Sequence, residues 1–131
     1  MALVLPLFML MILGAFDFGF LFYASIAIEN AARIAALDTS ASLQTAGNSA
    51  TACADVTLTL QRLPNAKSFP ISCNASPLTV SAQQVTAPDG SAGSRVTVTY
   101  STVRLFPVPW IAWMTPGEFT LIRTSMMRVR S

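Results

Sequence analysis

Few side chains in this chain could do chemistry, and their types exclude more than they offer. No histidine occurs among its 131 residues, which removes Ser-His-Asp and Cys-His catalysis and the usual zinc sites. GxGxxG, GxxxxGKS/T and CxxC are all absent, so no phosphate-cradling loop or redox pair is expected. The carboxylates Asp55, Asp89 and Glu118 are well separated. Asp89 belongs to a Pro88-Asp89-Gly90 turn signal and Glu118 follows Pro-Gly, so both read as surface groups rather than an acid–base pair. No catalytic residue, metal site, cofactor or small-molecule substrate is expected. Two features keep chemical content: the cysteines Cys53 and Cys73, and Asp17 inside a long apolar run.

Stepping from Asp17 to the element that must hold it, residues Met1 to Ile28 contain that one charged side chain in twenty-eight. A run of this length predicts a membrane-spanning helix, about 42 Å long at 1.5 Å per residue against ~30 Å of hydrocarbon. A carboxylate at such depth costs ~2.5–3.5 kcal/mol on insertion scales. Asp17 is therefore either an assembly contact with a neighbouring subunit or a protonated, partly snorkelled acid. Ala15, Gly19, Tyr23, Ala27, Ala31 and Ala35 recur every four residues. That stripe is either a close-approach surface for another helix or the chance product of an Ala-rich segment. Pro6 predicts a kink or a frayed first turn. Glu29 precedes Arg33 by four, the favourable order for a helical ion pair.

The 53% hydrophobic content comes largely from this helix. The remainder is polar and sufficient for one small domain. The division expected is a helix over 1–38, a linker or helix end over 39–52, and an exported β-rich domain over 53–131. In an exported domain this small, Cys53 and Cys73 predict a disulfide closing a loop worth roughly 3 kcal/mol. The net charge is +2, and basic residues are scattered apart from Arg123, Arg128 and Arg130, so no nucleic-acid footprint is present. No basic residue precedes the helix and only Arg33 follows it closely, so positive-inside reasoning assigns no orientation.

Period-two alternation predicts strands over Ala54–Arg62, Leu78–Thr86 and Arg95–Val103, with Val96, Val98 and Tyr100 on one face. Residues 63–70 read as a turn-rich connection and Ala87–Gly93 as a loop. Glu118–Arg130 reads as a last strand, with Phe119, Leu121, Ser125, Met127 and Val129 on one face. Between them, Pro107, Pro109 and Pro116 exclude a central strand. There Trp110 and Trp113 belong either to a short helix packed on the sheet or to an exposed patch meeting lipid or another subunit. The fold class expected is thus α+β: a long N-terminal transmembrane helix followed by a small antiparallel sheet.

The N-terminal residues also carry a resemblance. Ala2-Leu3-Val4-Leu5-Pro6, Asp17-Phe18-Gly19, Phe22-Tyr23 and Asn30-Ala31-Ala32-Arg33 resemble the first segment of the TadE-like family, minor pilins (pseudopilins) of the tight-adherence pilus. The resemblance extends in outline to a Val-x-Val-x-Tyr strand and the ending Ser125-Met126-Met127-Arg128. It implies a pilin-like, single-pass inner-membrane protein with a periplasmic domain. Its partners would be membrane lipid, other pilins and the tight-adherence assembly platform, with Ala15, Asp17, Gly19 and Tyr23 packing against other pilin helices. The Glu-Phe pair and cleavage site that precede ALVLP in the family are not in this sequence, which leaves prepilin-peptidase processing open. Beside this reading stand a membrane-tethered binding module using Trp110 and Trp113 and, ranked far below, a tethered enzyme.

Overall fold

The computed structural model describes residues 4–62, 73–103 and 118–130. Its elements are α1 (Val4–Thr39), α2 (Ser49–Leu60), β1 (Asn74–Ala75), β2 (Leu78–Thr86), β3 (Ala92–Val103) and β4 (Glu118–Arg128). The strands form one antiparallel meander in the order β1-β2-β3-β4. The architecture is α+β: a long apolar N-terminal helix followed by a four-stranded sheet, with the upper half of α1 and all of α2 layered on one sheet face.

Alternation explains the sheet. Leu78, Val80 and Ala82 of β2 and Val96 and Val98 of β3 are buried, with Tyr100, Leu121 and Met127 packed against them. The opposite face carries Thr97 and Thr124, whose hydroxyls lie 3.2 Å apart. Strand β3 starts at Ala92, earlier than the sequence reading, because the connection closes tightly. Gly90 N–H donates to Ala87 O (2.9 Å) and Ala87 N–H to Ser91 O (2.8 Å). Gly90 adopts φ +82°, a left-handed conformation that a glycine accepts without penalty. The Asp89 carboxylate accepts from Ser91 N–H and Oγ and pairs with the Arg128 guanidinium.

The stretch Ala54–Arg62 is corrected from strand to helix. Val56 and Leu60 satisfy both period two and period four, and the residues that separate the two readings are Ala52, buried, and Leu58, 64% exposed. Ala52, Val56 and Leu60 thus form one helical face. Asn48 caps the helix, its side chain accepting from Ala50 and Thr51 N–H, which satisfies donors with no intrahelical partner. The β-favouring threonines are accommodated because Thr57 and Thr59 hydroxyls donate to the carbonyls four residues back, Cys53 and Asp55. Just before the cap, Gly47 has φ +81°, and a Cβ there would lie 2.9 Å from Gln84 N.

Two hydrogen bonds set the course of β4 beside α1. Arg123 Nη2 donates to Ser25 Oγ (2.8 Å) and Arg130 N–H donates to Ser40 O (3.0 Å). The helical path from 25 to 40 and the extended path from 123 to 130 are both about 23 Å, so β4 runs alongside the helix in the same direction. Between these ties Ala24, Ile28, Ala31, Ala32, Ala35, Ala36 and Thr39 are buried. The Thr39 hydroxyl donates to Ala35 O (2.7 Å) and lies 2.8 Å from Ser94 Oγ, so the polar groups at the end of this seam are satisfied.

Small side chains at this seam leave no room for larger ones. In detergent-solubilised protein, Ala35→Leu is expected to lower stability by about 1–3 kcal/mol through overpacking. Leu37→Ala, at a half-exposed position, should stay within about 0.5 kcal/mol. Thermal unfolding midpoints of the two variants check this.

Candidate functional site

From Val4 to Tyr23 no residue of α1 is buried; the first is Ala24. About 20 residues at 1.5 Å each make a bare length of roughly 30 Å, the thickness of a bilayer's hydrocarbon core. The helix is long and apolar enough to cross a membrane, with a mean hydropathy of 2.1 over its best window. Leu5, Phe8, Met11, Phe16, Phe18 and Phe22 are each more than 60% exposed. An apolar area of this size on a protein surface marks a membrane or protein contact. Pro6 falls in the first turn of the described helix.

The every-fourth-residue stripe divides in two. Ala31 and Ala35 are buried and Ala27 is packed against the core, while Ala15, Gly19 and Tyr23 are exposed. Four residues advance 400° around a helix of 3.6 per turn, so the stripe drifts about 40° per step and does not keep to one face. Part of the alanine periodicity thus serves the chain's own sheet and α2. Asp17 behaves differently. Seven-residue steps from it reach Ala24 and Ala31, both buried, with a drift of only ~20° per step. Asp17 therefore lies on the helix face that the domain covers further up. No hydrogen bond or ion pair of Asp17 is present among the described residues.

Cys53 of α2 and Cys73, just before β1, form a disulfide with Cα atoms 5.8 Å apart. It ties the outer helix to the start of the sheet, and Cys73 O accepts from Val80 N–H (2.9 Å). Trp110 and Trp113, like residues 63–70, lie outside the described residues. Glu29 and Arg33 form the expected ion pair at 2.9 Å, exposed and worth a few tenths of a kcal/mol. No group of three or more metal-ligating side chains occurs among the described residues.

Sequence reasoning missed one polar contact. Burial pushes the Asp55 carboxyl above its ordinary value of 3.8, and the neighbouring Asp38 carboxyl raises it further. Asp55 Oδ2 is buried with no hydrogen-bond partner. Only once 49–60 is helical does Asp55 come to face the end of α1, so a strand reading could not have paired these acids.

The fold and the bare apolar length define an α+β protein whose one candidate membrane span among the described residues is continuous with its core. Residues 1–37 match the model of the family described as TadE-like protein, the family that the N-terminal motifs resemble; the match covers α1 and stops short of α2 and the sheet. Comparison with curated proteins and with solved structures returned no match.

The Asp38–Asp55 contact gives a pH prediction. A carboxyl whose folded-state pKa is raised contributes stability that is full below its unfolded value and lost as pH rises through the folded value. Asp55→Asn should therefore raise the unfolding midpoint at pH 7 and change it little near pH 3.5. An equal effect at both pH values would contradict this reading. In protein taken from an oxidising compartment, thiol titration should find neither cysteine free.

Proposed function

We propose that this chain is a minor pilin (pseudopilin) of a tight-adherence pilus, an assembly subunit rather than an enzyme. The observation that carries the reading is the family match over residues 1–37, which falls on a helix that is bare below Ala24 and built into its own domain above it. A pilin needs a helix that can rest in a bilayer and later pack against other helices without unfolding the domain above. This α1 meets that requirement, because the buried seam and the bare length share no residue. In the proposed arrangement Val4–Tyr23 holds the subunit in the inner membrane, and the disulfide-bearing domain faces the periplasm. On transfer into an assembly, lipid around the bare length is exchanged for helices of other pilins delivered by the assembly platform.

Two contacts are proposed for that exchange, Asp17 on one side of α1 and the Ala15–Gly19–Tyr23 stripe on the other. In hydrocarbon a carboxyl without a partner is costly, and a polar or N-terminal group on a neighbouring helix would remove that cost. On the other side, the small side chains at 15 and 19 allow a second helix to approach closely. Asp17→Asn should leave membrane insertion intact and weaken in vivo crosslinking from α1 to partner pilins severalfold, with fewer surface pili. Unchanged crosslinking and piliation would refute the role of Asp17; normal piliation in a strain lacking the whole chain would refute the pilin reading.

A further inference from the structure

Exposed apolar side chains continue beyond the bare length of α1. Ile26, Ile34 and Leu37 are 60%, 48% and 52% exposed, although this part of the helix belongs to the domain. Steps of seven, four and seven residues from Gly19 reach Ile26, Asn30 and Leu37, all exposed. At about 100° per residue these four lie within some 40° of one another. Their side of α1 is opposite Ile28, Ala31 and Ala35, which are buried against the sheet and α2. One exposed strip therefore runs from the apolar length up the back of the helix. Phe22 and Arg33 flank it on one side, Tyr23 and Ile34 on the other.

Lipid cannot cover the whole strip. Ile26 lies about 5 Å beyond Tyr23 along the axis and Leu37 about 21 Å beyond it, while a headgroup layer is some 5–8 Å deep. Ile34 and Leu37 thus stand in water, where covering an apolar side chain is favourable. The anchor restricts what can cover them. Two copies in one bilayer have parallel helices, and each residue finds its own counterpart at the same height. Apolar groups then meet at 26 and 37, and between them Asn30 meets the partner's Asn30. Its amide carries both donors and an acceptor and makes no hydrogen bond among the described residues. An asparagine at such a position fixes register and favours two parallel helices. The Arg33 guanidinium is drawn to Glu29 (2.9 Å), away from the strip. A twofold axis along the helices places it beside the partner's Ile34 instead of the partner's Arg33.

We infer that a second copy of this chain docks on this strip, forming a parallel, in-register pair through the back of α1 from Gly19 to Leu37. The inference rests on the membrane-anchored reading of α1. It deepens the proposed function by naming the occupant of the Ala15–Gly19–Tyr23 side and extending that contact out of the bilayer. The sheets face outward from such a pair, because each lies across its own helix from the strip. Asp17, on the sheet side of α1, stays open to a different chain.

The test uses the purified full chain in phospholipid vesicles, without other subunits and with the Cys53–Cys73 bridge left oxidised. One cysteine is added as Ile26→Cys, Leu37→Cys or, on the outer sheet face, Gln83→Cys. Mild oxidation should crosslink copies at 26 and at 37 severalfold more than at 83, and dilution with excess lipid should not abolish the difference. Asn30→Asp, which sets like charges opposite each other, should lower crosslinking at 26 and 37 severalfold. In detergent that holds single copies, each variant should unfold at the parent's temperature, so lost crosslinking reads the contact and not the fold. Crosslinking no higher at 26 and 37 than at 83, in a chain that resists carbonate extraction, would overturn the pair and leave the anchor standing. Release by carbonate would overturn the anchor and the pair with it. Crosslinks from 26 on one copy to 37 on another, in a mixed sample, would assign a staggered contact and overturn the in-register pair. Crosslinking of these positions only to other pilus subunits, in cells that make the whole apparatus, would give the strip to a different chain. The pilin reading would then stand and the pair would fall.

Discussion

Everything in this molecule depends on the packing of Ala24–Thr39 against the sheet and α2. A helix that presents alanines lets its neighbours approach closely, and the larger side chains are supplied from the other side by Val56, Leu60, Leu78, Val96 and Val98, with Ile28 the main exception on α1. Each of those larger groups contributes about 1.5–3 kcal/mol on burial. The seam therefore draws its energy from the sheet and α2 and its shape from α1. Without that half of α1, the inner face of β3 and β4 would lie open.

The same seam couples anchor and domain mechanically. Because α1 is one helix from Val4 to Thr39, with no glycine between Gly19 and Gly47, no hinge residue separates the bare and buried portions. The sheet follows the orientation of the bare half of α1, fixed at Ser25 and again at Ser40. A subunit built this way transmits a pull or a tilt on its anchor to its outer surface. Assembly into a filament would ask for that property, and a flexible tether would lack it.

Much of the fold was legible because its signals are unambiguous. The apolar run is too long for a core helix, and Val96, Val98 and Tyr100 alternate with small polar residues as a half-buried strand must. The Cys53–Cys73 bridge followed from the size and setting of the domain. What misled was degeneracy. Val56 and Leu60 lie on one face of either a strand or a helix, and only tertiary burial of Ala52 decides between them. The alanine stripe divides for a geometric reason, since a four-residue step looks like a straight line in the sequence and winds around the helix in space. The level of Arg123 with Ser25 could not be read at all, because it joins residues 98 positions apart.

Helix α1 serves the protein core from Ala24 onward, and we propose that it serves lipid below that residue. Two shortened chains test this most directly, one beginning at Ala24 and one at Ser40, each with the disulfide formed. The account predicts that the chain beginning at Ala24 is water-soluble and unfolds in one cooperative thermal transition, while the chain beginning at Ser40 shows no such transition. Cooperative unfolding of both at similar temperatures would contradict the claim, since the upper half of α1 would then be dispensable to the core.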